Sequence, residues 1–204
     1  MHHIGIIDYG CGNIRSVAQA FEYLGHDVGI IRNTSDSLEP YSHLVLPGVG
    51  AFSKASQSIE RLKLGKLIRA KIKDGKPVLG ICLGMQMLLD EGVEFGRHPG
   101  LGIIKGTVRH LNEVMPEAKT PNTGWDKVHF SKNSPFYEGK ELIEHFYFNH
   151  AYVCIPDDEE IHCAYVPGSN WPAAIIKGNV WGIQCHPEKS QKGGLNFLRQ
   201  FLRG

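Results

Sequence analysis

The sequence predicts an α/β protein of three layers, a mixed but mainly parallel sheet flanked by helices. Three observations carry that prediction. Ile4-Gly5-Ile6-Ile7, His43-Leu44-Val45-Leu46 and Val78-Leu79-Gly80-Ile81 are short apolar runs, the pattern of strands covered on both faces. Between the first two, Ile14, Val17, Ala18, Phe21 and Leu24 recur at helical spacing. Strand and helix alternate from the start of the chain, which implies parallel pairing with helices on the sheet's faces.

Composition sets the class. The 204 residues suit a single domain over positions 1–204 with a sizeable core. Hydrophobic residues make up 42% and charged residues 21%, as in an ordinary globular chain. A formal net charge of +1 gives no support for binding nucleic acid or an anionic membrane. No apolar run approaches a membrane span. Met1 to Asp8 runs straight into a strand without the features of a signal peptide. The five cysteines are odd in number and form no C-x-x-C pair, so free thiols in the cytoplasm are expected. His162-Cys163 and Cys185-His186 match no zinc spacing, and no metal or cofactor is expected.

In chain order, Tyr9-Gly10-Cys11-Gly12-Asn13 is a turn, Ile14 to Leu24 a helix closed by Gly25, and Asp27 to Ile31 a strand. Gly10 and Gly12 invite a dinucleotide-binding reading. The third glycine of that fingerprint is replaced by Arg15, and Ile31-Arg32-Asn33 brings no acidic residue, so a plain turn or partner-facing loop fits better. The strand at His43 ends in Pro47-Gly48-Val49-Gly50-Ala51-Phe52. Such backbone can aim a main-chain N–H at a developing oxyanion; a turn with steric glycines is the alternative. Ser53 to Lys73 reads as helix interrupted near Gly65, and Met85 to Asp90 as a further helix.

Beyond Gly92, Gly96 to Gly100 reads as loop, with short strands in Gly102 to Leu111 and Lys127 to Phe130. Pro116 to Trp125 reads as a connection. His145 to Val153 and Ile161 to Val166 are β-prone, and Ala173 to Ile176 forms a hairpin with Val180 to Gln184 across Lys177-Gly178-Asn179. These later strands are expected as antiparallel additions to the sheet. Gly194 to Leu202 closes the chain as a helix.

The chemistry centres on Lys76 to Leu89. Cys82 lies between an apolar strand and helix-forming sequence, with Gly80 and Gly84 on either side. Small neighbours suit a tight strand-to-helix turn that presents a nucleophile, and a helix N-terminus favours the thiolate. A buried structural cysteine is the alternative. His186 and Glu188 lie two apart, on one side of an extended chain. The carboxylate can hold one ring nitrogen and leave the other free as a base, which a cysteine nucleophile needs. Alone, the pair fits an exposed loop equally well.

Together the elbow cysteine, the Gly-Val-Gly loop and the late His-Pro-Glu resemble the class I (triad) glutamine amidotransferase family, with its flavodoxin-like fold, over nearly the whole chain. Within it, four runs resemble the glutaminase subunits of imidazole glycerol phosphate synthases. They are Asp8-Tyr9-Gly10-x-Gly12-Asn13 with Ser16-Val17, Leu46 to Phe52, Gly80 to Gln86, and His186 to Gln191.

The resemblance implies Cys82 as nucleophile, His186 as general base and Glu188 as its orienter. It implies an oxyanion hole from Val49, near Gly50, and Leu83. Gln86 and the backbone at His150 and Ala151 would hold L-glutamine. Asn13, Trp125 and Lys189 would lie near a (β/α)8-barrel synthase subunit, the heterodimer partner. That partner would take ammonia through its core and make imidazole glycerol phosphate and AICAR.

Departures from the family pattern stand at Asn122-Thr123 before Gly124-Trp125-Asp126, at Asn149 and Ala151 around His150, and at Cys185 before His186. They bear on the ammonia acceptor more than on glutamine hydrolysis. A paralogue serving a surface-polysaccharide sugar is therefore an alternative, as is a catalytically silent scaffolding subunit. A cysteine peptidase is disfavoured by His186-Pro187-Glu188 and Gln86.

Overall fold

The chain opens as the alternation predicts, with β1 (His3–Ile7), α1 (Ile14–Tyr23) and β2 (Asp27–Ile31). The computed structural model describes residues 1–34, 38–131, 134–135 and 142–203. β3 (His43–Gly48) runs two residues past its apolar core, through Pro47 and Gly48. α2 (Phe52–Arg61) and α3 (Leu64–Lys73) follow. The helix break expected near Gly65 lies at Lys63, in the left-handed region at φ 55°, and Gly65 itself is buried within α3.

β4 (Val78–Cys82) leads directly into α4 (Leu83–Met87). This helix starts and stops earlier than the expected Met85 to Asp90. The backbone turns sharply at Cys82, and the chain then enters the two-residue strand β5 (Glu91–Gly92). β6 (His98–Pro99), β7 (Gly106–His110) and α5 (Leu111–Val114) follow. β8 (Asn122–Phe130) and β9 (Leu142–His150) pair antiparallel over their full length, Asn122 against His150 and Phe130 against Leu142. Asn122 to Trp125, expected as connection, is therefore strand, fixed by the facing segment of β9. The run His145 to Val153 is broken at Ala151, where β10 (Tyr152–Pro156) begins. β11 (His162–Tyr165), β12 (Pro172–Lys177), β13 (Val180–Ile183) and α6 (Gln191–Phe201) complete the chain.

The large sheet has the order β2-β1-β3-β4-β13-β12-β11-β8-β9. Its first five strands are parallel, in the doubly wound order that places ligands beyond the strands' C-terminal ends. Two expectations are corrected here. β13 is antiparallel to β12 but parallel to β4, so it continues the parallel half of the sheet. β10, β7, β5 and β6 form a separate four-stranded sheet rather than extending the first. Pairing across the chain sets both outcomes.

Alternation along the central strands divides the core. Ile4, Ile6, Val45, Leu79 and Ile81 pack with Val17 and Phe21 of α1 and with Phe197, Leu198 and Phe201 of α6. Leu44, Leu46 and Val78 pack with Ala55, Ile59, Leu64 and Ile68 of α2 and α3. Successive side chains on a strand point to opposite faces, so one apolar run supplies both cores and holds three layers together. No helix among the described residues is long and apolar enough to cross a membrane.

Candidate active site

The ends of β3, β4 and β13 meet around one thiol. β3 and β4 are in register at Gly48 and Cys82, which sets the Gly48-Val49-Gly50 loop beside the cysteine. Cys82 turns the chain with φ 53° and ψ −111°, an unusual backbone for a residue with a side chain. The turn needs Gly84: a Cβ there would lie 1.7 Å from the Leu46 carbonyl oxygen. The result is a nucleophile elbow, with Leu83 supplying the first amide of α4.

β13 delivers His186. Its Nδ1 donates to Glu188 Oε1 at 2.9 Å, and both side chains are almost wholly buried. The link between them is not the extended chain expected but a 3₁₀ turn, Pro187–Lys189. The turn still brings the carboxylate under the ring. The His186 main chain is fixed by an N–H bond to the Tyr147 carbonyl at 2.9 Å. Its own carbonyl accepts from Ser190 Oγ at 2.6 Å. Burial alone would lower the His186 pKa, but hydrogen bonds to Cys82 and Glu188, with their charges, raise it from 6.5 to about 10. The imidazole is thus held protonated at neutral pH, bonded to the sulfur on one side and the carboxylate on the other.

The remaining thiols are set apart from this one. Burial pushes up the pKa of Cys11, Cys154, Cys163 and Cys185, and the charges of Glu188 and Cys82 add to the rise at Cys185. They stay protonated at neutral pH and are poor nucleophiles. All five cysteines are free, and no cluster of three or more metal-ligating side chains occurs among the described residues.

A cavity of about 290 Å³ opens onto Cys82 and His186. Val49, Gly50, Leu83, Gln86, His150, Ala151 and Lys189, all singled out from sequence, line it. His150 Nδ1 donates to the Tyr152 carbonyl at 3.0 Å, and its Nε2 accepts from the Asn122 amide at 3.3 Å. Burial lowers the His150 pKa from 6.5 to about 4, with the nearby His186 charge reinforcing it against the Tyr152 bond. His150 is therefore a neutral, fixed wall of the cavity.

Asn13 and Trp125 are not among the lining residues. Asn13 precedes α1, and Trp125 stands half-exposed on β8, its ring 6.1 Å from Tyr147. Lys189 Nζ lies 5.9 Å from the same Tyr147 ring, so Trp125, Tyr147 and Lys189 are neighbours. One expected contact is not made. The Val49 N–H donates to the Cys11 carbonyl at 3.0 Å and is unavailable to an oxyanion at Cys82.

Two residues escaped the sequence reading. Glu94 lines the cavity and accepts the Phe52 N–H at 2.5 Å. Gln184, fully buried, donates from Nε2 to Cys82 Sγ at 3.7 Å. Glu94 carried no local signal, because its partner lies 42 residues away. Gln184 sits two positions before His186, just past the end of β13, and the alternation of an extended chain, which sets such residues on one side, could have revealed it. A larger cavity, about 400 Å³ between α2, α3 and Leu101, holds none of the catalytic candidates.

The family model "Glutamine amidotransferase class-I" matches residues 5–204. Imidazole glycerol phosphate synthase subunit HisH of Aquifex aeolicus (strain VF5) is 42% identical, covering 97% of this chain and 95% of the relative. The same-named subunit of Chlorobaculum tepidum is 39% identical over 96% of this chain and 97% of its own. That of Geobacillus thermodenitrificans (strain NG80-2) is 39% identical over 99% and 96%. Among solved structures, PurLQS from Thermotoga maritima has a chain that superposes with a TM-score of 0.76. That match is 21% identical and covers 100% of this chain and 99% of the other, a likeness of fold. A crystal structure of a glutamine amidotransferase gives a TM-score of 0.77 at 21% identity, over 98% and 97% of the two chains.

Proposed function

The chain belongs to the class I glutamine amidotransferase family, and from that premise we propose that it is the glutaminase subunit of an imidazole glycerol phosphate synthase. One observation carries the reading. Cys82 is turned up at φ 53°, and His186, held by Glu188 at 2.9 Å, is bonded to its sulfur. The near-full-length likeness to HisH subunits supports the assignment within the family.

The chemistry follows from the arrangement. The Cys82 thiolate attacks the side-chain amide carbon of L-glutamine. His186 gives its proton to the leaving nitrogen as the C–N bond breaks, and ammonia departs. A thioester remains on Cys82. Water, deprotonated by His186, then attacks the thioester carbonyl; the C–S bond breaks, glutamate leaves, and the Cys82 thiolate and protonated His186 are restored. Glu188 keeps the ring oriented through both steps. The Leu83 N–H and a Val49 N–H turned inward, a change Gly50 permits, stabilise the oxyanion. Gln86, the backbone at His150 and Ala151, and the Glu94 carboxylate hold the amino-acid end, the last by opposing the α-ammonium.

Ammonia passes to a (β/α)8-barrel, HisF-type partner subunit that forms imidazole glycerol phosphate and AICAR. Asn13, Trp125 and Lys189 face that partner. A second reading sends the ammonia to a surface-polysaccharide sugar. It is favoured by Asn122, which pairs with His150 across β8 and β9, and by Thr123, which pairs with Asn149 of the cavity lining.

Glutamate release tests the hydrolysis, measured with the barrel partner present. Cys82→Ala should abolish it, and retention of the unsubstituted rate overturns the reading. Imidazole glycerol phosphate formation from the nucleotide acceptor decides between the two destinations.

A further inference from the structure

We infer that Gln184 is a positioning residue for the Cys82 sulfur, the last member of a directed chain of buried amides that makes the sulfur accept a hydrogen bond. The inference rests on Cys82 being the nucleophile.

The direction of the chain is fixed at its far end. The Tyr152 carbonyl can only accept, so Gln86 must present its amide nitrogen to it, at 2.9 Å. The other hydrogen of that nitrogen goes to Gln184 Oε1 at 3.3 Å. Gln184 is thereby oriented with its own nitrogen toward Cys82 Sγ, at 3.7 Å. Reversing either amide would set two acceptors or two donors face to face in a buried site. Gln184 has no solvent exposure and its main-chain N–H is tied to the Ala173 carbonyl at 2.8 Å, so the side chain has no competing partner in water.

The sulfur therefore meets a donor on two sides, the Gln184 amide and the His186 ring. A thiolate satisfies both; a thiol must turn its own hydrogen elsewhere. The role is distinct from that of His186, because an amide neither gives nor takes a proton. Gln86 lines the cavity that would hold glutamine and also orients Gln184, so one side chain links that cavity to the nucleophile.

The test is the pH dependence of Cys82 alkylation by iodoacetamide, read site by site by peptide mass spectrometry. Gln184→Met keeps the volume and removes the donor. Its midpoint should rise by about one pH unit, a tenfold loss of thiolate below the midpoint. Gln184→Glu keeps the oxygen that Gln86 needs and sets an acceptor against the sulfur, so its midpoint should rise at least as far. An unchanged or lowered midpoint in either folded variant overturns the inference. In the unsubstituted protein, the Gln184 side-chain ¹⁵N amide resonance should titrate with the Cys82 midpoint, and a resonance that ignores it also overturns the inference. Failure of the nucleophile assignment shows separately, as glutamate release by Cys82→Ala.

Discussion

Cys82 differs from the other four thiols in its neighbours rather than in its chemical type. Its sulfur meets His186 and Gln184, whereas Cys154 and Cys163 are fully buried and raised by burial. The proposed triad was legible because each part carries a local mark: glycines two positions either side of Cys82, and His186 two positions before Glu188. Glu94 was not, since the partner that gives it meaning comes from 42 residues away; Gln184 stands two positions before His186, a mark that went unread, and its partner Cys82 lies 102 residues away. At this scale the Glu188 charge is the group to test. Its carboxylate helps raise the His186 pKa to about 10. Glu188→Gln removes that charge, so the His186 value should fall toward 6.5. The alkaline limb of kcat/KM, where the ring loses the proton owed to ammonia, should then move to lower pH, with kcat reduced about tenfold or more. A pH profile identical to that of the unsubstituted enzyme would rule out the orienting role.

At the level of elements, the 3₁₀ turn Pro187–Lys189 and α6 act as one part. Gly194 in the first turns of α6 packs against this turn, and a Cβ there would lie 1.9 Å from the Pro187 carbonyl oxygen. Gly194→Ala should push the turn, and with it His186 and Glu188, out of place. Misplacement of this size costs about 10²-fold in rate. A circular-dichroism melt should show a stability penalty of about 1–3 kcal/mol. Normal turnover in a folded Gly194→Ala protein would mean the turn does not set the dyad. Element boundaries show where sequence ran short. β1, α1 and β2 follow from periodicity alone, but α4 begins at Leu83 because the strained Cys82 turn starts it, and no propensity signals that strain. β8 reaches back to Asn122 only because β9 lies opposite. Acid sensitivity also belongs to the elements. His43 on β3 is buried against the rings of His2 and Phe201, and burial, with the charges of His2, His26 and Lys76, lowers its pKa to about 4. His150 on β9 is likewise near 4. Between the unfolded value of 6.5 and about 4 the unfolded chain binds more protons than the native one, so stability falls as pH falls through that window. Each histidine contributes a loss of about 2 kcal/mol by pH 5. His186 works in the opposite sense: its contribution is complete below 6.5 and is lost as pH rises toward 10. Urea unfolding at pH 7 and pH 5 checks the sign, and His43→Gln should flatten the acid slope.

For the whole molecule, the sheet explains why the site has the parts it has. Five parallel strands end on one side, so the loops after β3, β4 and β13 converge there without a dedicated scaffold. The alternating apolar runs implied that half of the sheet. They did not disclose the second, four-stranded sheet, because its strands β5 and β6 are two residues each and exist only through pairing with β7 and one another. That sheet matters to the site: β10 leaves His150 through Ala151 and brings Tyr152 to the cavity, while the turn between β5 and β6 brings Glu94. The arrangement is complete but for one donor. Val49 is bound to Cys11, in the loop between β1 and α1, and that loop continues into Asn13, which we propose faces the barrel partner. A partner that shifts the loop would release the Val49 N–H, and Gly50 at φ 99° gives the peptide room to turn. Loss of one oxyanion donor lowers turnover about 10²- to 10³-fold. The isolated chain should therefore hydrolyse glutamine at least about 10²-fold more slowly than the complex, with the difference in kcat rather than KM, because the cavity walls already stand in place. Steady-state glutamate release with and without the barrel subunit measures it. Equal rates would show that the Val49 amide is not part of the oxyanion hole and that Leu83 serves without it.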